Sequence, residues 1–64
     1  MVYIVERGVD KPRLETRTRI CYTLDDAHEC FSRIKSFPET WFAAIYSQET
    51  PSHSAVKLES WLRA

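Results

Sequence analysis

The fold is decided near the middle of the 64-residue chain by the stretch from Thr23 to Ser36, TLDDAHECFSRIKS. Its apolar residues recur at steps of three and four, the spacing that places side chains on one side of an α-helix. These residues are Leu24, Ala27, Phe31 and Ile34. Polar and charged residues fill the opposite side. We therefore predict one amphipathic helix over residues 23–36, with one face buried and one face in water.

Both ends of this stretch carry boundary signals of a helix. Thr23 is placed to act as N-cap by accepting a hydrogen bond from the free backbone N–H of Asp26. Acidic residues crowd the first half and basic residues the second, which complements the helix dipole. Glu29 and Arg33 stand four residues apart in the favourable order. Pro38 ends the helix because proline disfavours helical geometry in the residue before it.

Four strand-like runs flank the helix, two on each side. Val2–Glu6 is rich in β-branched and aromatic residues, Leu14–Tyr22 alternates with a period of two, and Thr40–Gln48 is apolar on both sides. The last run, Ala55–Arg63, fits a strand or a helix, and we favour the strand. The sequence thus predicts a single α+β domain over residues 1–64, a small antiparallel-type sheet with one helix packed on one face, in the order β-β-α-β-β. The alternative order is β-β-α-β-α.

The alternation also predicts which side of a strand meets the helix. In the second strand we expect the side with Leu14 and Ile20 to face the helix, and the side with Arg17 and Arg19 to face out. Residues 8–12 contain the only glycine, Gly8, and are predicted to form a turn, where unusual backbone angles cost glycine least.

In the last strand we expect three apolar residues to point inward and Trp61 to point outward with its charged neighbours. The inward set is Val56, Leu58 and Leu62, and the outward set is Lys57, Glu59, Trp61 and Arg63. The final segment therefore adds an aromatic ring and two bases to the outer surface.

A single helix covers only one face of a sheet, so the sequence leaves the other face uncovered. Some of its four strand aromatics, Tyr3, Phe42, Tyr46 and Trp61, should lie there beside basic residues. Aromatic and arginine side chains on one surface have the composition of binding hot spots, and exposed apolar patches mark interaction sites. We predict a partner-binding surface formed by Tyr3, Arg17, Arg19, Tyr46, Lys57, Trp61 and Arg63. The alternatives are a homodimer interface and a plain solvated face.

Composition narrows the class of protein. Nine basic and nine acidic residues cancel, which argues against strong non-specific attraction to nucleic acid or to an anionic membrane. No apolar run approaches the ~20 residues that span a bilayer. The first seven residues lack the basic start and cleavage site of a signal peptide. We therefore expect a cytoplasmic protein without a membrane partner, whose Cys21 and Cys30 are free thiols.

Candidate chemical groups are few. Cys21, His28, Cys30 and His53 do not have the spacing of a zinc finger or ribbon, so we expect neither a metal nor any other cofactor. Cys21 with His28 and Asp25 has the residue types of a nucleophile, a base and an orienting acid. A chain this short has little room for a concave site of ~300 Å³, and one glycine cannot form a phosphate-binding loop. We therefore expect no enzymatic activity.

The arrangement of elements resembles that of a group of small phage-encoded inhibitors. It begins with a strand containing Tyr3-Ile4-Val5-Glu6, continues through a polar turn and an alternating strand into Thr23-Leu24-Asp25-Asp26-Ala27, and ends with a Trp-bearing segment. Type I-F anti-CRISPRs and the small phage inhibitor of bacterial RNA polymerase share this pattern. The resemblance implies a stoichiometric inhibitor that occupies a nucleic-acid-binding surface of a larger host complex. The neutral charge departs from strongly acidic DNA mimics, so such blocking would be steric or directed at a surface of mixed charge.

The resulting expectation is a non-enzymatic protein-binding module of phage or mobile-element origin. Its partner would be a larger host protein or ribonucleoprotein complex in the host cytoplasm. A small RNA-binding module is the first alternative, since aromatics and arginines on a sheet also stack and bind single-stranded RNA. A homodimeric accessory protein is the second.

Overall fold

The computed structural model describes residues 1–10 and 13–63 and has the order β-β-α-β-β. The elements are β1 (Val2–Val9), β2 (Glu15–Cys21), α1 (Leu24–Lys35), β3 (Thr40–Gln48) and β4 (Val56–Leu62). The four strands form one sheet in the order β2-β1-β3-β4, and every neighbouring pair is antiparallel. This confirms the predicted α+β fold, with the last segment as a strand.

The helix forms as its sequence predicts. Thr23 Oγ1 accepts a hydrogen bond from the Asp26 N–H at 3.1 Å, and Arg33 Nη2 donates to Glu29 Oε1 at 2.9 Å. Ser36 is the C-cap, and its N–H donates back to the last turn. Three of the four residues in the predicted stripe are buried, whereas Leu24 in the first turn stays exposed.

The core lies between α1 and the two central strands. Its buried cluster consists of Val5, Cys21, Ala27, Phe31, Ile34, Ala43 and Ile45. A helix is about 10 Å wide, whereas four strands spaced about 4.8 Å apart make a wider layer. The helix therefore covers β1 and β3 well and leaves much of the two outer strands uncovered. This difference in width leaves a groove between α1 and β2, which is described below.

The predicted orientation of β2 is wrong. Val5 is buried under the helix and pairs directly with Arg19, so the two side chains lie on the same face of the sheet. Arg17 and Cys21 share that face, whereas Ile20 points away from the helix and is 49% exposed. The reason is that the helix reaches only the end of β2. One residue, Cys21, enters the core and thereby fixes the orientation of the whole strand.

The predicted orientation of β4 holds for Val56 and Lys57 and is wrong from Leu58 onward, because the register with β3 shifts at that point. Trp61, not Leu58 or Leu62, packs against the core. Its pairing partner in β3 is Ala43, a small buried residue that leaves room for the indole ring. Glu59 also faces the helix, since its carboxylate lies 3.6 Å from His28 Nδ1.

Gly8 is not in a turn. It is a buried residue of β1 opposite Phe42, while Lys11 and Pro12 of the predicted turn lie outside the described residues. The strand therefore continues three residues further than predicted.

Candidate protein-binding surface

The face of the sheet that points away from α1 is covered by no other element among residues 1–10 and 13–63. We call it the open face. Strand pairing assigns to it Val2, Ile4 and Glu6 of β1; Thr16, Thr18 and Ile20 of β2; Trp41, Phe42, Ala44, Tyr46 and Gln48 of β3; and Lys57, Leu58, Ser60 and Leu62 of β4. The open face spans the full width of the sheet.

Large apolar side chains on this face remain in contact with water. The exposed fractions are 49% for Ile20, 38% for Trp41, 49% for Leu58 and 68% for Leu62. A domain of about 60 residues buries only about 60% of its unfolded surface, so apolar area left outside reduces an already small stabilisation. Apolar residues that are exposed together in this way mark an interaction surface.

A β-bulge in β3 places two aromatic rings side by side on the open face. The register with β1 shifts between Gly8 and Val9, so that Trp41 is an extra residue in β3. The rings of Trp41 and Phe42 meet edge to face, with centroids 4.8 Å apart. Gly8 makes this possible, because a Cβ atom at that position would lie 2.4 Å from Phe42 Cδ1 and 2.7 Å from Trp41 Nε1. The glycine is required for close approach of side chains.

A second bulge acts in the same way on β4. The register with β3 shifts between Ile45 and Tyr46, and Leu58 is the extra residue. Glu59 faces the helix, so Leu58, the residue before it in the strand, points to the open face. Lys57 pairs with Tyr46 and lies on that face too, with its Nζ 5.8 Å from the centre of the Tyr46 ring. The two bulges thus turn additional large side chains toward the open face.

The centre of the open face carries one anionic group. Tyr46 Oη donates a hydrogen bond to Glu6 Oε1 at 3.2 Å, across the two central strands. Burial, together with this hydrogen bond, raises the pKa of the Tyr46 hydroxyl. Glu6 therefore presents a carboxylate, already held by one donor, near the centre of the open face.

The structure divides the seven residues predicted to bind a partner between the two faces. Tyr46 and Lys57 lie together on the open face. Tyr3 and Trp61 pack against the core on the helix side instead. The expectation that all seven share one surface is wrong. Tyr3 of β1 shares the helix side with Val5, and β2 and the last part of β4 are oriented opposite to the prediction.

Arg63 has a structural role on the helix side. Its guanidinium donates to the carbonyl oxygens of Thr40 at 2.8 Å, Lys35 at 3.0 Å and Phe37 at 2.9 Å. It also lies 4.9 Å from the centre of the Trp61 ring. Carbonyl groups at the end of a helix lack helical partners, and Arg63 supplies donors for them.

The remaining two predicted residues, Arg17 and Arg19, line a groove between α1 and β2, which we call the arginine groove. Its narrow end has a volume of about 150 Å³ and a floor of Val5 and Ile34. Its wide end, beside Cys21, has a volume of about 420 Å³. The expectation that so short a chain lacks a concave site of this size is wrong, because the helix is too narrow to close over β2.

The cysteine and histidine side chains are dispersed. Cys21 and Cys30 are free thiols, as predicted. Burial and the neighbouring Cys30 thiol raise the pKa of Cys21. His28 lies beside Glu59, and His53 Nδ1 is 2.6 Å from the hydroxyl of Thr50. Within the described part of the chain, no three His, Cys, Asp or Glu residues are arranged to hold a metal ion.

Sequence reasoning missed several members of the open face, namely Glu6, Ile20, Trp41, Leu58 and Leu62. A usable signal was present only for Trp41. An isolated glycine in a strand indicates a bulge or a close approach, and Gly8 has both.

No protein-family model matches this chain, and no match was found among curated proteins or solved structures. None of the described residues form a helix that is long and apolar enough to cross a membrane.

Proposed function

We propose that this protein is a non-enzymatic binding module whose open face docks onto a different protein. The observation that supports this most is the exposure of large apolar residues across the whole sheet face opposite the helix. Trp41, Phe42 and Tyr46 form its aromatic centre. Tryptophan and tyrosine are enriched among the residues that contribute most to binding between proteins.

The position of Glu6 favours a different protein over a second copy of this chain. Glu6 and Tyr46 lie on the two central strands. In a symmetric dimer of two open faces, the two-fold axis would pass near this centre, and residues near the axis would meet their own copies. Two Glu6 carboxylates would then be buried against each other, which is unfavourable. A partner with an apolar surface and one basic or N–H donor group is complementary.

The class of partner follows from the resemblance to small phage inhibitors. On that basis we propose that the partner belongs to a host complex that handles nucleic acid, and that docking of the open face blocks it sterically. The zero net charge supports docking on protein rather than on nucleic acid.

A comparison of two leucine variants tests the docking surface. Leu62 is exposed on the open face, and Leu24 is exposed in the first turn of the helix. Tagged wild-type protein, Leu62→Gln and Leu24→Gln are used to capture partners from a nuclease-treated bacterial lysate. We expect the wild type and Leu24→Gln to retain one dominant protein complex and Leu62→Gln to lose most of it. Trp41→Ala should weaken binding by about 30-fold, because truncation of a hot-spot residue costs about 2 kcal/mol.

Three results would contradict the proposal. Equal capture by Leu62→Gln and wild type would mean that the open face does not bind. Disappearance of the complex on nuclease treatment, with binding that falls steeply as salt rises, would favour the RNA-binding alternative. A dimer in sedimentation that Leu62→Gln converts to monomer would favour the homodimeric alternative.

A further inference from the structure

The arginine groove concentrates positive charge on the helix side of the sheet, opposite to the open face. Its narrow end is lined by Arg7, Arg17 and Arg19 above the apolar floor of Val5 and Ile34. Arg7 and Arg17 are direct cross-strand partners, and Arg19 pairs with the next position on the same face. Directly paired side chains have Cβ atoms about 5 Å apart, so the three arginine side chains start from neighbouring positions and all line the narrow end of the groove.

This concentration of charge is only partly compensated inside the molecule. Arg17 already forms an ion pair with Glu15, whose Oε1 accepts from Arg17 Nε at 2.7 Å and also contacts Nη2, so Arg17 is the compensated member of the three. Arg7 instead donates to Thr40 Oγ1 at 3.4 Å and lies over the Phe37 ring. No described carboxylate lies within 4.0 Å of the guanidinium of Arg7 or Arg19. Like charges placed opposite each other destabilise a sheet, so an anionic group in the groove would relieve a real cost.

The same groove runs along a free sheet edge. β2 is the outermost strand, and no described residue pairs with its outer side. Its outward backbone N–H and C=O groups are thus available to a further strand. Peptides are recognised in this way, with main-chain hydrogen bonds for affinity and alternate side chains for specificity. Arg17 and Arg19 are two residues apart, which is the period of an added strand.

We propose that the β2 edge binds an extended acidic segment of a partner protein, which adds as a fifth strand. Its acidic side chains, at every second position, enter the arginine groove and pair with Arg17 and Arg19. The residues between them lie next to Thr18 and Ile20 on the other face, where β-branched side chains fit. Arginine binds carboxylates through two parallel hydrogen bonds, which fixes the register.

The charges at the two ends of the groove determine the direction in which the acidic segment binds. The wide end is lined by Arg19, Asp26, Glu29 and Arg33, with Glu29 paired to Arg33, so its charges cancel. The narrow end has three arginines and no acidic residue in its lining, so the acidic part of the segment belongs there, beside Arg17 and Arg19. A nucleic acid strand carries a phosphate at every step and would bring one against Asp26. An acidic peptide can place its charges at one end only, and this favours a peptide over nucleic acid.

A synthetic peptide tests the proposal without knowledge of the partner. The probe is a fluorescent ten-residue peptide in which glutamate alternates with valine in the first half and threonine alternates with valine in the second. Binding is measured by fluorescence anisotropy, and the contact site by backbone amide shifts of the protein. We expect shifts along β2 and an affinity about tenfold lower for the double variant Arg17→Gln/Arg19→Gln. Lys57→Gln removes one charge from the opposite face, and its affinity should match that of the wild type.

Two further probes separate strand addition from charge attraction alone. A peptide of the same sequence that is N-methylated at alternate residues lacks half of its donors, and we expect it to bind at least tenfold more weakly. Equal binding of the methylated peptide would overturn the proposal, as would amide shifts that leave β2 unaffected. Tighter binding of a single-stranded oligonucleotide that displaces the peptide would overturn it in favour of nucleic acid. Leu62→Gln should leave peptide binding unchanged, so the open face and the β2 edge are tested separately.

Discussion

Replacement of Gly8 by alanine should destabilise the protein, although glycine is normally a poor residue for a strand. The new Cβ would lie 2.4 and 2.5 Å from two ring carbons of Phe42 and 2.7 Å from Trp41 Nε1. Both rings must move to accept it. Overpacking of this kind costs about 1–3 kcal/mol, while alanine recovers about 0.4–1 kcal/mol by restricting the unfolded chain. We expect a net loss of about 1–2 kcal/mol.

The measurement is thermal unfolding followed by circular dichroism, with the combined fluorescence of Trp41 and Trp61 as a second probe. A loss of this size in a 64-residue domain lowers the midpoint by roughly 5–15 °C. The matched control places Gly8→Ala in a Phe42→Ala background, where the two closest atoms are absent. There the cost should be smaller than in the wild-type background, because two of the three close contacts are absent and only the one with Trp41 Nε1 remains. Gly8→Ala with unchanged or higher stability would refute the close-approach argument.

Three further predictions follow from the described contacts. Thr23→Ala should lower the free energy of unfolding by about 1 kcal/mol through loss of the N-cap, whereas Thr23→Ser should restore it, as measured by urea denaturation. Arg63→Ala should cost about 1–2 kcal/mol because the carbonyls of Lys35, Phe37 and Thr40 each lose one donor, of which Phe37 keeps the Thr40 N–H, and Arg63→Lys should recover only part of this. The free energy of unfolding should decline above about pH 9. The pKa values of Cys21 and Tyr46 are raised in the folded protein, so the unfolded chain loses these two protons at a lower pH than the folded protein does. Tyr46→Phe should remove the part of this decline above about pH 10 in a denaturation series from pH 7 to 10.5.

The elements of the fold were predictable because several local signals agree in each. The helix has a stripe, a cap and charged ends, and β3 was predicted at its observed bounds, Thr40–Gln48. These elements lie at the centre of the molecule, where burial selects the residues strongly. Each of these signals depends on residues that are close together in the sequence, so it can be recognised from one sequence alone.

The orientation of the outer strands was not predictable in the same way. β2 and β4 are edge strands with apolar residues on both sides. The alternation of residues therefore shows which side chains share a face, but not which of the two faces the helix covers. Cys21 and Trp61 decide the question, since they reach the core from the strand ends. That choice depends on the position of α1 across the sheet, a contact between residues far apart in sequence. Trp41 and Leu58 were also hidden, because a bulge shifts the alternation by one residue.

Site-specific photo-cross-linking tests the docking of the open face most directly. A benzophenone side chain is placed at Leu62 on the open face or at Leu24 on the helix, both exposed positions of the same residue type. The two proteins are irradiated in a nuclease-treated bacterial lysate, and the adducts are identified by mass spectrometry. The account predicts an adduct with one different protein from position 62 and none from position 24. An adduct between two copies of the chain, or one formed from position 24 and not from position 62, would contradict it.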